Sequence, residues 1–285
     1  MVENNNPIGN SELAAVETPV KGISKMKLKS EKEHIEYLNG MLGLSLWFIA
    51  DWKNKNPDES IKHIMDSRTM LISHTSFNED LLFSEVMCSK QDLLNSVISD
   101  IKSEYYKDID PNDFEKACMI ILEPYIKGRV YKDMLHSYEM SLARFAPSMF
   151  PYNLDTGTEY LDFNVINKSY PESFLSDTDL FKKDLIKMTL DAEGAGYKGI
   201  VVATWLNGFK SWYKLFPESW KASETLVVAP ERVHSGLGFW GQFVSSNYRF
   251  NSRSAKQFRK AGEASYPMTE CRSTIKELKT FLGIE

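Results

Sequence analysis

Apolar side chains recur at three- and four-residue intervals through the first half of the chain. In the second half they give way to short alternating or continuous apolar runs. The stretch Lys29 to Trp52 mixes charges with apolar residues, then turns strongly apolar at Leu44, Leu46, Trp47, Phe48 and Ile49, and reads as a helix. A turn follows at Asn54–Asn56. Pro57-Asp58-Glu59 suits a first helical turn, with Asn56 as N-cap and acids at the positive end. Ile61, Ile64, Met65, Thr69 and Ile72 continue it as a stripe. Ser89 is placed to cap a third helix carrying Leu93, Leu94, Val97, Ile98 and Ile101. Asp110-Pro111-Asn112-Asp113 opens a fourth, with Phe114, Cys118, Ile121 and Leu122, which Pro124 kinks or ends. A further helix is expected from Val130 to Phe145. No strand is expected between Ser30 and Phe145.

Beyond Pro147 to Pro151 the texture changes. Tyr160 to Asn167 alternates, with Leu161, Phe163 and Val165 on one face. Asp177 or Thr178 caps a helix running to Glu193, which Gly194 and Gly196 break. Gly199 to Trp205 is a nearly continuous apolar strand, the pattern of a strand covered on both faces. Strand, helix, strand at this spacing is a βαβ unit with parallel strands. Glu224–Ala229 and Phe239–Val244 are further strand candidates. Asn251 or Ser252 caps a short helix that Gly262 ends, and Ser273 or Thr274 starts a helix to Leu282. The expected fold is α+β: a helical region over 27–147, then a small mixed sheet with one βαβ unit and flanking helices over 148–285. Residues 1–26, rich in Asn, Glu, Pro and Gly, read as a disordered tail.

Composition narrows the function classes. The 285 residues are 42% hydrophobic and 26% charged, ordinary for a globular chain. A net charge of -5 gives no overall basic field, which argues against nucleic acid as the main partner. Cys88, Cys118 and Cys271 are scattered and form neither a metal spacing nor a disulfide framework. The longest apolar run, Met41 to Ala50, is too short to span a bilayer. No secretory signal is visible, so the expected setting is the cytoplasm, with no membrane partner.

Four of the six tryptophans fall between Trp205 and Trp240, together with His234 and several glycines. Such a segment can wall a small-molecule pocket or simply fill a core. Asp162 and Asn164 share one face of the first strand. Asn167 and the group Thr204, Trp205 and Asn207 stand at the carboxyl ends of the two parallel strands, where open sheets bind ligands. Trp205, Trp212 and Trp240 are the candidate walls, with Asn164, Asn167, Thr204 and Asn207 orienting the ligand. His234 is the candidate proton carrier, with Asp162 as a catalytic carboxylate. Arg253 and Lys256 belong to a basic cluster, Arg249 to Lys260, suited to a phosphate or carboxylate. Glu31-x-x-His34, Glu59 with His63, and His136-x-x-Glu139 have the spacing of di-metal helical bundles, but Glu31 and His34 lie in a Lys- and Glu-rich stretch and read as solvent-facing, so no metal is favoured.

The stretch 192–217, AEGAGYKGIVVATWLNGFKSWYKLFP, resembles the later half of acyltransferases of the GNAT fold in its order of helix, glycine, strand, Asn and short helix. That family's pyrophosphate-binding Gln/Arg-x-x-Gly-x-Gly/Ala is absent between the first strand and its helix. The resemblance implies an acyl-type transferase using an acyl-thioester or other phosphate-bearing donor. The leading expectation is therefore a small-molecule enzyme of this kind. A non-catalytic partner-binding protein and a helical metal-dependent oxidase are the alternatives. Burial decides between the first two, because pocket tryptophans face a concavity and interface tryptophans a convex patch.

Overall fold

The computed structural model describes residues 30–75, 84–142, 147–170, 172–227 and 236–284; the expected tail and His234 lie outside them. The fold is α+β, with helices in the N-terminal half and a small mixed four-stranded sheet in the C-terminal half.

The first helix, α1 (Glu31–Lys55), opens on a capping box in which Ser30 Oγ accepts from Glu33 N and the Glu33 carboxylate accepts from Ser30 N at 2.8 Å. Asn56 closes this helix instead of opening the next, because its backbone and side-chain amides both donate back to Trp52 O. Ser60 caps α2 (Ile61–Arg68) through His63 N. Helix α3 (Ser84–Ser103) starts earlier than expected, leaving Ser89 inside it. Helix α4 (Pro111–Leu142) runs through Pro124, merging the two helices the sequence suggested. The reason lies in packing: Phe114, Cys118, Leu122 and Ile126 recur every four residues on both sides of the proline and are all buried. That continuous stripe offsets the roughly 3 kcal/mol an interior proline costs.

From Met41 to Ala50 every residue of α1 is buried, as expected of a helix that is apolar on all sides. One flank is covered by α4 and another by a segment from the far end of the chain. Phe258 packs against Trp47 and Phe48 with ring centroids 5.4 and 6.0 Å apart, and Trp240 lies 5.9 Å from Phe48. Arg259 spans the helices through Nη2, which donates to both oxygens of the Glu115 carboxylate at 2.7 and 2.9 Å. The core of the helical half thus includes Phe239, Trp240, Phe243, Ala255 and Phe258.

Strand β1 (Tyr160–Asp162), α5 (Thr178–Gly194) and β2 (Gly199–Thr204) form the expected parallel βαβ unit, with Tyr160 opposite Gly199. Asp177 caps α5 through Leu180 N. β1 is shorter than the alternation suggested. After Asp162 the backbone leaves β2 and bonds instead to residues 149–152, Asn164 N to Pro151 O and Ile166 N to Met149 O.

The rest of the chain comprises α6 (Lys210–Tyr213), α7 (Glu218–Ala222), β3 (Thr225–Leu226), α8 (Leu237–Trp240), α9 (Ser252–Ala261), β4 (Thr269–Thr274) and α10 (Ile275–Leu282). The strand expected at Phe239–Val244 is instead α8 followed by a tight turn at Gly241–Phe243. Buried Phe239, Trp240 and Phe243 there sit at helical spacing. Sheet order is β1-β2-β4-β3, with β4 antiparallel to both neighbours. β4 was not expected, because its inward residues Thr269, Cys271 and Ser273 are small and mostly polar. Asn251 and Gly262 bound α9 as anticipated, and Thr274 ends β4 while capping α10.

Candidate functional site

Most of the aromatic segment is core. Trp212 and Trp220 are fully buried under the sheet, and Trp240 is fully buried in the helical core. One residue organises the first two. Asn207, also fully buried, donates through Nδ2 to Val202 O at 3.1 Å and Thr269 O at 2.8 Å. Its Oδ1 accepts from Trp212 Nε1 at 3.1 Å and Trp220 Nε1 at 3.2 Å. An indole nitrogen only donates and a carbonyl oxygen only accepts, so this amide has one orientation. Both donors and both acceptor positions are consumed by the protein. Asn207 therefore joins β2, β4 and the two indoles and faces no ligand.

A cleft of about 880 Å³ opens at the carboxyl ends of β1 and β2. Asp162, Asn164 and Asn167 line it from the first strand and the loop beyond, and Thr204 and Trp205 from the second. Phe174, Phe209, Leu237, Gly241 and Tyr248 complete much of the wall. The position follows from topology, since side chains beyond the ends of parallel strands diverge into helix-connected loops. Asp162, the last residue of β1, and Asn164, in the segment beyond it, are both exposed. Thr204 is buried, and its hydroxyl caps the turn at Trp205–Gly208 by accepting from Leu206 N at 3.3 Å. Asn167 spends its amide donors on backbone carbonyls, Glu172 O and Ser246 O. Trp205 is half-buried, with Phe209 and Tyr266 rings 6.3 and 5.9 Å away.

Tyr248 holds a left-handed backbone, φ 56, in a turn closed by Tyr248 N to Ser245 O and Ser245 N to Arg249 O. A bulky residue in that region is strained, and such strain clusters at ligand sites. Burial first, then the neighbouring Tyr170, pushes its phenol up to about 12, so the hydroxyl stays protonated. Neither Tyr248 nor Gly241 was singled out from the sequence. The available signal for Gly241 was a glycine in a Phe-Trp-Gly run beside an aromatic segment.

The remaining sequence candidates lie elsewhere. Trp212 and Trp240 stand in two different cores and do not line the cleft. Arg253, Lys256 and Lys260 are exposed on α9 and also do not line it, while the cluster's Arg249 and Arg259 pair with Glu33 and Glu115. His34, read as solvent-facing, is buried, while Glu31 is exposed. Glu59 accepts from Arg68 Nε at 2.6 Å and Trp52 Nε1 at 2.8 Å. Burial raises its pKa, but these bonds outweigh that and hold it below the ordinary value. The side chains of His136 and Glu139 lie outside the described residues. Among the described residues no group of three or more His, Cys, Asp or Glu could hold a metal ion, and no helix is long and apolar enough to cross a membrane.

No family model, curated protein or solved structure matches this chain.

Proposed function

We propose that the chain is a small-molecule enzyme whose site is the cleft at the ends of β1 and β2, with group transfer of acyl type as its chemistry. The observation carrying this reading is the convergence of Asp162, Asn164, Thr204 and Trp205 on one large, mostly apolar concavity at a sheet's carboxyl edge. Neutral donors such as the Asn164 amide and the Trp205 indole suit polarisation of a substrate carbonyl. Asp162 is the carboxylate that takes the proton from the attacking amine or alcohol and returns it to the departing alkoxide or thiolate as the acyl group moves. Trp212, Trp220 and Trp240 are fully buried, so they offer no surface to a partner and equally no wall to the cleft, which keeps Trp205 alone of the four.

The test is to incubate the full chain with a panel of esters and thioesters plus amine and alcohol acceptors and to follow products by mass spectrometry. Turnover that falls about 10²–10⁴-fold in Asp162→Asn, with the thermal midpoint retained, supports the reading. Turnover unaffected by both Asp162→Asn and Trp205→Ala removes the cleft from the chemistry.

A further inference from the structure

We propose that the cleft takes an uncharged, ring-bearing ligand and reads it through a hydrogen bond to the Trp205 indole N–H, which Gly241 keeps approachable. This rests on the reading of the cleft as a small-molecule site and names the ligand class it selects.

Charge is the first argument. Among the described lining residues Asp162 is the sole charged side chain, and it is already engaged in an interaction of its own. No described Lys or Arg lines the cleft, so among the described residues a phosphate or carboxylate finds no counter-charge to offset its desolvation. Shape is the second. Phe163, Phe174, Trp205, Phe209 and Tyr248 all contribute to the wall, and flat rings pack best on flat rings. Leu237 adds apolar surface and remains 43% exposed.

Hydrogen bonding is the third. Four of the six indole N–H groups have protein acceptors: those of Trp52, Trp212, Trp220 and Trp240. Trp205 Nε1 has none among the described residues, yet it is not sealed away as a buried orphan. A donor in an apolar wall, left without an acceptor, favours a ligand that brings one.

Gly241 supplies independent support. Its backbone, φ -58 and ψ -23, is ordinary right-handed helix, where alanine is favoured over glycine. Conformation therefore does not require glycine there. Space does: a Cβ at this position would lie 2.8 Å from Trp205 Nε1. The missing side chain leaves Trp205 Nε1 uncrowded on that side, and both residues line the cleft.

The experiment uses the full chain labelled with 15N and reads its indole N–H signals during titration with four probes. These are 2-quinolinone, naphthalene, 1-naphthyl phosphate and 1-naphthylmethylammonium. The Trp205 signal is assigned by its loss in Trp205→Phe. The proposal expects 2-quinolinone to shift that signal and to bind more tightly than the charged probes. Its affinity should fall about 10-fold in Trp205→Phe, the scale of one neutral hydrogen bond, while naphthalene binding stays level. Gly241→Ala should cost 2-quinolinone a similar factor, with a thermal melt confirming that the variant is folded. Tighter binding of the phosphate or ammonium probe at the Trp205 signal, or equal 2-quinolinone affinity in wild type and Trp205→Phe, overturns the ligand class and leaves the site standing. If no ring probe moves the signal, the small-molecule reading of the cleft fails and this inference falls with it.

Discussion

Replacing Asn207 with alanine removes four hydrogen bonds at once, and the structure states what each loss leaves behind. Trp212 Nε1 and Trp220 Nε1 lose a shared acceptor in a region where both rings are fully buried. Val202 O and Thr269 O lose a donor, but both belong to paired strands, so their orphaning weighs less. Two unsatisfied buried donors at about 1–3 kcal/mol each give roughly 2–6 kcal/mol, before any cavity contribution. Against a total stability of about 5–15 kcal/mol this is a large fraction. Asn207→Asp separates the two halves of the network. The carboxylate still accepts from both indoles, but it turns acceptors toward two carbonyls. Burial and those carbonyls both disfavour its charged form, so the folded-state pKa of the introduced carboxyl rises above its unfolded value. Stability should therefore be recovered as pH falls and lost as pH rises through that raised pKa. The assay is urea unfolding followed by tryptophan fluorescence, with near-ultraviolet circular dichroism to register Trp212 and Trp220, at pH 5 to 8. A loss under about 1 kcal/mol in Asn207→Ala, or an Asn207→Asp variant no more stable in acid, would refute the assigned role.

Gly199→Ala should destabilise by about 1–3 kcal/mol or more in the same assay, because its Cβ would lie 2.0 Å from Ser273 O, a backbone atom of the neighbouring strand. Glu59 has a depressed pKa, so its stabilising contribution is complete above its unfolded value of 4.5 and disappears as pH falls through the lower folded one. Thermal midpoints measured from pH 7 to 3 should show a shallower acid decline in Glu59→Gln than in wild type; identical slopes would contradict the pairing. Burial raises the thiols of Cys118 and Cys271 to about 12, so peptide mapping after native alkylation at pH 8 should find both unmodified, and denaturation should expose both.

Where local signals and tertiary packing agreed, the sequence was readable. Asp177, Asn251 and Thr274 each had a side-chain oxygen placed to satisfy the first helical N–H groups, whereas the Ser30 capping box went unread. The apolar run at Gly199 to Thr204 was long enough to mark a covered strand. Failures came where packing overrode a local rule. Pro124 was outweighed by the buried stripe on either side of it, and β4 was hidden because Thr269 and Ser273 are buried without being hydrophobic. At the candidate site the strand-end rule placed Asn167, Thr204 and Trp205 on the cleft and alternation along β1 added Asp162 and Asn164, but the same rule also chose Asn207, which is buried and bonded within the protein. Aromatic content alone could not separate Trp205 from Trp212 and Trp240. The difference lies in partners: Trp212 and Trp240 give their N–H groups to Asn207 and Arg68 O, and no periodicity reports such a bond.

The place of β4 between β2 and β3 also sets a schedule for synthesis. β1, α5 and β2 leave the ribosome before β4, and β1 covers only one side of β2. The other side of β2 is an open row of backbone donors and acceptors until Thr269–Thr274 has been made. Everything from Trp205 to Met268 is translated in that interval, including the α8 and α9 residues that must instead find α1. An unpaired apolar strand waiting for a distant partner is an adhesive edge for another nascent chain. Slowing translation between codons 205 and 268 should therefore lower the soluble yield, and supplying the 269–274 segment earlier by circular permutation should raise it.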